Sequence, residues 1–415
     1  MKKFLKKLAR KNYFFRKIQV KRRENRRKKY YKDNYLKFSV DDKLVLVESY
    51  QGRNFSCSPR AIYEYMINDD KYADYKFIIP LRKVNDEIRE KFENERTKVV
   101  KYRTKEYFNL IAQAKYWISN SIFETSVIKK DNQKYLQTWH GTPLKKLAFD
   151  IDTAGNNKIR SNEEVRNMYA SDAQRYTMMC SPSPYYTNHI SSAFNLKNLH
   201  TNNIMFETGY PRNDRLINYK DKEVKQIKER LNIPNDKKVV VYAPTWRDNQ
   251  HQLGVGFTLG LELDFQKLYE ELSDKYVFIF KLHHFIASKL DLSGYEDFII
   301  DCSRENDIND LHLISDVLIT DYSSLFFDYA NLKKPILFYM FDYDEYAKET
   351  RGFYFDFDEL PGPVFKKEDE LIKALKDLDG TYKPYLDKLD GFNEKYNPLE
   401  DGKSSQRTLE KFLEI

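Results

Sequence analysis

A length of 415 residues, 41% hydrophobic and 15% aromatic, supplies two or three folded domains and excludes a disordered or fibrous chain. No apolar run reaches the length of a membrane span, and the charged N-terminus lacks the long apolar core of a secretory signal. Cys57, Cys180 and Cys302 are odd in number and without metal-ligand spacing, so reduced thiols in a cytoplasmic protein are expected, not a disulfide framework or a structural metal.

The charge is unevenly placed. Residues 1–38 hold 17 Lys and Arg against Glu24 and Asp33, a local +15, so with +8 overall the rest of the chain carries −7. Met1–Phe38 reads as a basic helical arm in which Phe4, Leu8, Phe15 and Ile18 recur at near-helical spacing. Such an arm suits an anionic membrane surface, and a solvated arm or an RNA-binding arm has the same charge. The interleaved aromatic and aliphatic residues favour the membrane, and the mildly acidic body argues against nucleic acid.

Lys43–Val47 is predicted as the first strand, Ser49–Asn54 as a polar turn with one glycine, and Pro59–Met66 as a helix. Tyr75–Ile79, Lys98–Lys101, Tyr116–Ser119 and Tyr135–Thr138 follow as strands, with helical stretches such as Glu106–Ala114 between them. This alternation predicts an α/β domain with a parallel sheet covered on both faces. His140 stands just past one strand end, followed by Gly141, which permits close backbone approach, and by Thr142-Pro143. A histidine there suits a general base, and it equally suits a loop hydrogen bond. Ala148–Arg175 reads as polar and charged, and Tyr176–Ser181 and Ile204–Glu207 as strands. An inter-domain linker is expected around Pro211–Asp236, dividing the body into 39–220 and 221–415.

The second half repeats the rhythm with strands at Val239–Tyr242, Tyr276–Leu282, Phe298–Asp301, Val317–Ile319 and Ile336–Tyr339. Thr245, Arg247, His283, Thr320, Ser323 and Ser324 all lie just past strand ends, an array suited to a phosphorylated ligand. Thr320–Ser324 also reads simply as the cap of the helix that follows. Leu371–Leu378 and Gln406–Leu413 read as helices, the last packing back on the body.

Five motifs in order then carry a family resemblance: Trp139–Lys145 (WHGTPLK), Tyr242–Arg247 (YAPTWR), Lys281–His283 (KLH), Ile319–Ser324 (ITDYSS) and Arg351–Asp356 (RGFYFD). Together with Glu48–Arg53 (ESYQGR), they make the chain resemble the CDP-glycerol glycerophosphotransferases of Gram-positive teichoic acid synthesis. The resemblance runs from about Lys43 to Leu378. It implies a GT-B-like fold, two Rossmann-like domains facing a cleft, with the donor held mainly by the second. It also implies transfer of glycerol or ribitol phosphate from a CDP-linked donor to an undecaprenyl-linked acceptor at the cytoplasmic face of the membrane, with release of CMP.

By the same resemblance His140 matches the catalytic base and His283 the histidine on the donor pyrophosphate. Thr320, Ser323 and Ser324 match the phosphate-contacting segment. Gly141, Thr142 and Arg247 fall within the matching motifs as substrate-binding candidates. Lys281 stands where members often carry Arg, and His284 where some carry Pro, which weakens any bidentate phosphate role for Lys281. No large extra N-terminal domain precedes the body, so a short single-module transferase is expected. No acidic cluster has metal-ligand spacing, so the reading holds the diphosphate on protein groups and expects no metal or cofactor. Two alternatives keep other classes open: a nucleotide-sugar glycosyltransferase on the same fold, and a basic RNA-binding protein.

Overall fold

The computed structural model describes residues 13–151, 161–245, 251–252, 256–257, 262–282, 287, 290–349 and 352–415. Helix α1 (Tyr13–Asn34) leads into strand β1 (Asp41–Glu48) and helix α2 (Cys57–Ile67). Strands β2 (Lys76–Leu81) and β3 (Thr97–Lys101), helix α3 (Lys105–Gln113) and strands β4 (Ala114–Ser119) and β5 (Lys134–Gln137) follow. Helix α4 (Asn162–Ala173), β6 (Met178–Ser181), helix α5 (Pro184–Ala193) and β7 (Met205–Glu207) complete the first sheet, in the order β3-β2-β1-β4-β5-β6-β7.

Every pairing in it is parallel. Alternation along β1 explains why both faces are covered. Leu44 and Leu46 enter one core with α3, and Val45 and Val47 enter another with α2.

The second sheet is built from β8 (Lys238–Ala243), β9 (Tyr276–Phe280), β10 (Ile299–Asp301), β11 (Val317–Thr320), β12 (Ile336–Tyr339) and β13 (Val364–Phe365). Its order is β10-β9-β8-β11-β12-β13, again all parallel. Both sheets therefore show the same Rossmann-type progression, in which the strand order reverses beside the first strand. The reversal lies between β1 and β4 in one sheet and between β8 and β11 in the other. Those two crevices are where an open parallel sheet binds ligands. Helix α6 (Ile308–Ile314) precedes β11, and a short helix α7 (Leu325–Tyr329) follows it.

Two terminal features bear on the body's limits. The last helix, α8 (Ser404–Glu414), leaves the second sheet and packs against α2, with Leu409 and Phe412 joining the core beneath the first sheet. Thr408 Oγ1 meets Thr208 Oγ1 at 2.7 Å, and the Phe412 ring stands edge-on to Tyr116 at 5.7 Å. At the other end, α1 is fastened by its last turns. Tyr31 is buried, stacks on Tyr35 at 5.4 Å and donates its hydroxyl to the Ile128 carbonyl at 3.1 Å. Tyr30 donates to Asn109 at 2.9 Å, and Arg27 lies 3.5 Å from Glu124. Lys21–Arg26 remain exposed. Phe4, Leu8 and the Phe15 side chain lie outside the described residues, and Ile18 is half-buried. Among the described residues no helix is long and apolar enough to cross a membrane.

Candidate functional site

The site begins where β5 ends. Trp139 adopts a left-handed conformation (φ +51°), which a non-glycine residue takes up only when its surroundings hold it there. The Gln137 side chain accepts its N–H at 2.9 Å, and Phe194 packs edge-on against its ring at 4.9 Å. The turn places His140 against Asn120, the first residue past β4. His140 Nδ1 lies 2.6 Å from the Asn120 carbonyl oxygen. A carbonyl only accepts, so Nδ1 carries the hydrogen and Nε2 presents a lone pair. Burial pushes the His140 pKa down to about 4, against the Asn120 hydrogen bond, and the Arg212 and Arg53 charges push the same way. The imidazole is therefore neutral at neutral pH and ready to accept a proton. Asn120 is itself fixed: its Oδ1 accepts the Tyr50 N–H at 2.7 Å, at the β1/β4 crevice.

The next residues reach the second sheet. Gly141 donates its N–H to the Tyr210 hydroxyl at 2.8 Å, and a Cβ placed on Gly141 would stand 3.1 Å from Ser324 Oγ. Thr142 is buried behind it. Residues 144–146 then pair with residues 352–354: Lys146 N–H donates to Gly352 O at 2.9 Å, and Tyr354 N–H to Leu144 O at 3.0 Å. Two of the motifs separated by two hundred residues are thus a direct backbone pair. Lys145 Nζ donates to the Tyr346 hydroxyl at 2.5 Å, and the Tyr346 ring stacks on Tyr322 at 4.0 Å.

On the second sheet the hydroxyls differ in their surroundings. Thr320 is buried, and its Oγ1 donates to the Ala243 carbonyl at 2.8 Å, stitching the ends of β11 and β8. Asp321 accepts the Thr245 N–H at 2.8 Å across the same crevice. Ser323 and Ser324 are half-buried at the start of α7, with Ser324 turned toward Gly141. Lys281 donates to the carbonyls of Ser303 at 3.1 Å and Glu305 at 2.5 Å, and burial lowers its pKa. Arg247 and His283 lie outside the described residues. So His140, Gly141, Thr142 and Ser324 come together, Ser323 adjoins them, and Thr320 closes the strand ends beneath.

Three residues that sequence reasoning passed over belong to this constellation. Asn120 orients His140. Tyr210 holds Gly141. Arg212 is buried, ion-paired with Asp328 of α7 at 2.7 Å, and its guanidinium lies 4.2 Å from the Tyr210 ring. This pair ties the segment after β7 to the helix that Ser324 begins. Arg212 falls in the expected linker around Pro211–Asp236, and nothing local in the sequence marks a cation whose partner is 116 residues away.

The comparisons with known proteins agree in extent with this architecture. The family model described as CDP-Glycerol:Poly(glycerophosphate) glycerophosphotransferase matches residues 29–414. The chain is 40% identical over 376 residues to a teichoic acid poly(glycerol phosphate) polymerase of Bacillus spizizenii, covering 90% of this chain and 92% of that one. It is 38% identical over 390 residues to the polymerase of the same name from Staphylococcus epidermidis, covering 93% of this chain and 53% of that one, so it spans about half that relative's length. The solved structure of the wall teichoic acid polymerase TagF is similar with a TM-score of 0.84 and 38% identity, covering 96% of each chain. With a family model matched over nearly its whole length, this chain belongs to the CDP-glycerol:poly(glycerophosphate) glycerophosphotransferase family.

Proposed function

We propose that the chain transfers a polyol phosphate from a CDP-linked donor to a lipid-linked teichoic acid acceptor, releasing CMP, in a GT-B-like cleft between its two parallel sheets. The observation that carries this reading is the approach of Gly141 to Ser324, which sets the end of β5 against the start of α7. His140 and the serine segment thereby share one space, as a reaction joining an acceptor hydroxyl to a donor phosphorus requires.

In this mechanism His140 Nε2 takes the proton of the acceptor hydroxyl. The oxygen attacks the β-phosphorus of the CDP-polyol, a new P–O bond forms, and the bond to the CMP oxygen breaks. The depressed pKa keeps His140 unprotonated before the donor arrives. The approach of the anionic diphosphate then favours the imidazolium that forms. Ser323 and Ser324, with His283 and Arg247, hold the diphosphate and stabilise its developing charge. The Arg212–Asp328 pair fixes α7 relative to His140, so both halves of the site keep one geometry.

The acceptor carries a polyprenyl chain in this reading, so the protein works at the cytoplasmic membrane face. The exposed cations of α1 and the basic residues before it bring it there. The test is direct: the purified chain is incubated with CDP-glycerol or CDP-ribitol and a synthetic prenyl-linked acceptor, and CMP release and product mass are read. Mass increments of one polyol phosphate support the reading. CDP-donor inertness alongside turnover of a nucleotide sugar overturns it.

A further inference from the structure

The turn between β1 and α2 is unusual in its backbone. Tyr50, Gln51 and Gly52 are three successive left-handed residues, at φ +48°, +55° and +70°. Only glycine adopts this region freely, so the first two are held there by their surroundings. The hold is visible. Tyr50 N–H is bound by Asn120, Gly52 N–H donates to Ser49 O at 2.9 Å, and Arg82 N–H donates to Gly52 O at 2.7 Å. A Cβ on Gly52 would stand 2.9 Å from the Pro80 carbonyl, so only glycine lets the turn lie flat on the end of β2.

This turn carries Arg53 and is braced by Arg82. Arg82 Nε donates to Gln51 O at 2.9 Å and Nη2 to Gln51 Oε1 at 3.3 Å. Arg53 is exposed, and among the described residues neither arginine has a carboxylate partner. Arg103, beyond β3, lies over the same Tyr102 ring as Arg82, at 5.0 and 5.6 Å, but it is ion-paired with buried Glu124. Burial lowers the Arg82 pKa, and Arg53 and Arg103 lower it further, while Glu48 opposes them. That carboxyl is buried with its pKa raised to about 8, so at neutral pH it is largely protonated and neutralises little. Arg53 also acts on His140. The turn thus carries one exposed arginine, is braced by a second, and sets its Tyr50 ring 5.6 Å from the His140 ring, with no carboxylate partner for either cation among the described residues. Such an arrangement is completed by an anionic ligand with several acceptor oxygens.

We propose that Arg53 and Arg82 seat a phosphodiester of the acceptor chain, so that its terminal hydroxyl meets His140. This rests on the polyol-phosphate transfer reading above. The pair stands at the ends of β1 and β2, in the sheet that carries His140, whereas the donor-binding candidates stand on the other sheet. Its phosphate therefore comes from the acceptor side. A lipid headgroup carries the same phosphodiester chemistry, and the test separates the two.

Full-length protein is assayed with CDP-glycerol and soluble short-chain acceptors bearing one to three glycerol phosphate units. Arg53→Gln is the clean variant, because the Arg53 side chain has no hydrogen bond or ion pair among the described residues. Arg82→Gln is the second, checked for unchanged thermal unfolding. Each is expected to raise the acceptor KM about ten-fold, roughly the loss of one charge-assisted phosphate contact, with donor KM unchanged. Arg53→Lys is expected to recover part of the loss, and the rise of acceptor KM with salt should flatten in the Gln variants. Unchanged acceptor KM in both Gln variants, or a rise in donor KM instead, would overturn the seat. Loss of flotation on phosphatidylglycerol vesicles with acceptor KM unchanged would also overturn it, assigning the pair to the lipid surface. A wild-type protein that turns over no acceptor would instead remove the transfer reading itself.

Discussion

Gly141 and Ser324 face each other so closely that a single added methyl on the first would stand 3.1 Å from the hydroxyl of the second. The contact joins two segments 183 positions apart, one ending β5 and one following β11. Neither segment tolerates displacement easily. Gly141 is tied to Tyr210, and Ser324 begins the helix whose Asp328 is locked to Arg212.

Gly141→Ala therefore tests the closeness of the cleft. The new Cβ requires the Ser324 hydroxyl to give by a few tenths of an ångström, through its own side chain or through the segment that carries it. Turnover is expected to fall about ten-fold or more, since catalytic groups act only within a narrow geometry. Unfolding temperature is expected to change little, because the contact lies at a cleft and not in a core. Steady-state CMP release and a melting curve read the two effects.

Asn120→Asp keeps an oxygen for the Tyr50 N–H and the backbone carbonyl for His140, and adds a negative charge beside the imidazole. That charge favours the protonated histidine, so the His140 pKa rises. Less of the base is then free at acidic pH, and the acidic limb of the kcat profile is expected to move to higher pH. A profile identical to wild type would show that Asn120 does not set the state of His140.

His312 offers a stability test away from the chemistry. It is fully buried, stands edge-on to Tyr329 at 5.4 Å, and neither ring nitrogen has a hydrogen-bond partner among the described residues. Burial, with Arg212 and Lys334, pushes its pKa down to about 3. Below about pH 6.5 the unfolded chain takes up a proton there that the folded protein refuses until near pH 3. The folded state thus loses about 1.4 kcal/mol per pH unit from this group as pH falls through that window, and nothing above it. His312→Phe removes the dependence and the unpaired nitrogens. Chemical denaturation at pH 5 is expected to find the variant more stable than wild type, with a smaller difference at pH 8.

The basic helix separates into two parts. Its last turns dock through Arg27, Tyr30 and Tyr31, so removing residues 1–26 leaves the body capped, whereas removing 1–38 strips Tyr31 from its buried place. The shorter deletion is expected to abolish most flotation with phosphatidylglycerol liposomes at low salt and to spare turnover of a soluble acceptor. The longer one is expected to lower thermal stability as well. Equal flotation of intact and shortened proteins would show that the body finds the membrane.

Much of this fold was legible because parallel strands announce themselves as short apolar runs. Val239–Tyr242 and Ile336–Tyr339 were readable for that reason, and the reading of Val317–Ile319 needed only Thr320 added. Helix α4 was passed over within a charged stretch, although Ser161 and Glu164 form the capping box that starts it. His140 and Ser324 stand out in the sequence because motif order marks them. Their approach does not, because a contact across the cleft depends on how two sheets face each other. Arg212 and Asn120 escaped for a related reason. One acts through a distant carboxylate and the other through a backbone carbonyl, and neither leaves a local pattern. Helix α1 read as a free arm because its charge outweighs the two tyrosines that fasten it.

In the transfer proposed above, His140 takes the acceptor proton as polyol phosphate moves from a CDP-linked donor. The most direct test of this step is single-turnover transfer from CDP-glycerol to a soluble prenyl-linked acceptor by wild-type and His140→Ala protein, at saturating donor, with product followed by intact mass. The expected result is product one glycerol phosphate heavier, formed about a hundred-fold or more slowly by the variant, the range for loss of a general base, with donor binding unchanged. Product forming at the wild-type rate in His140→Ala would rule out His140 as the base.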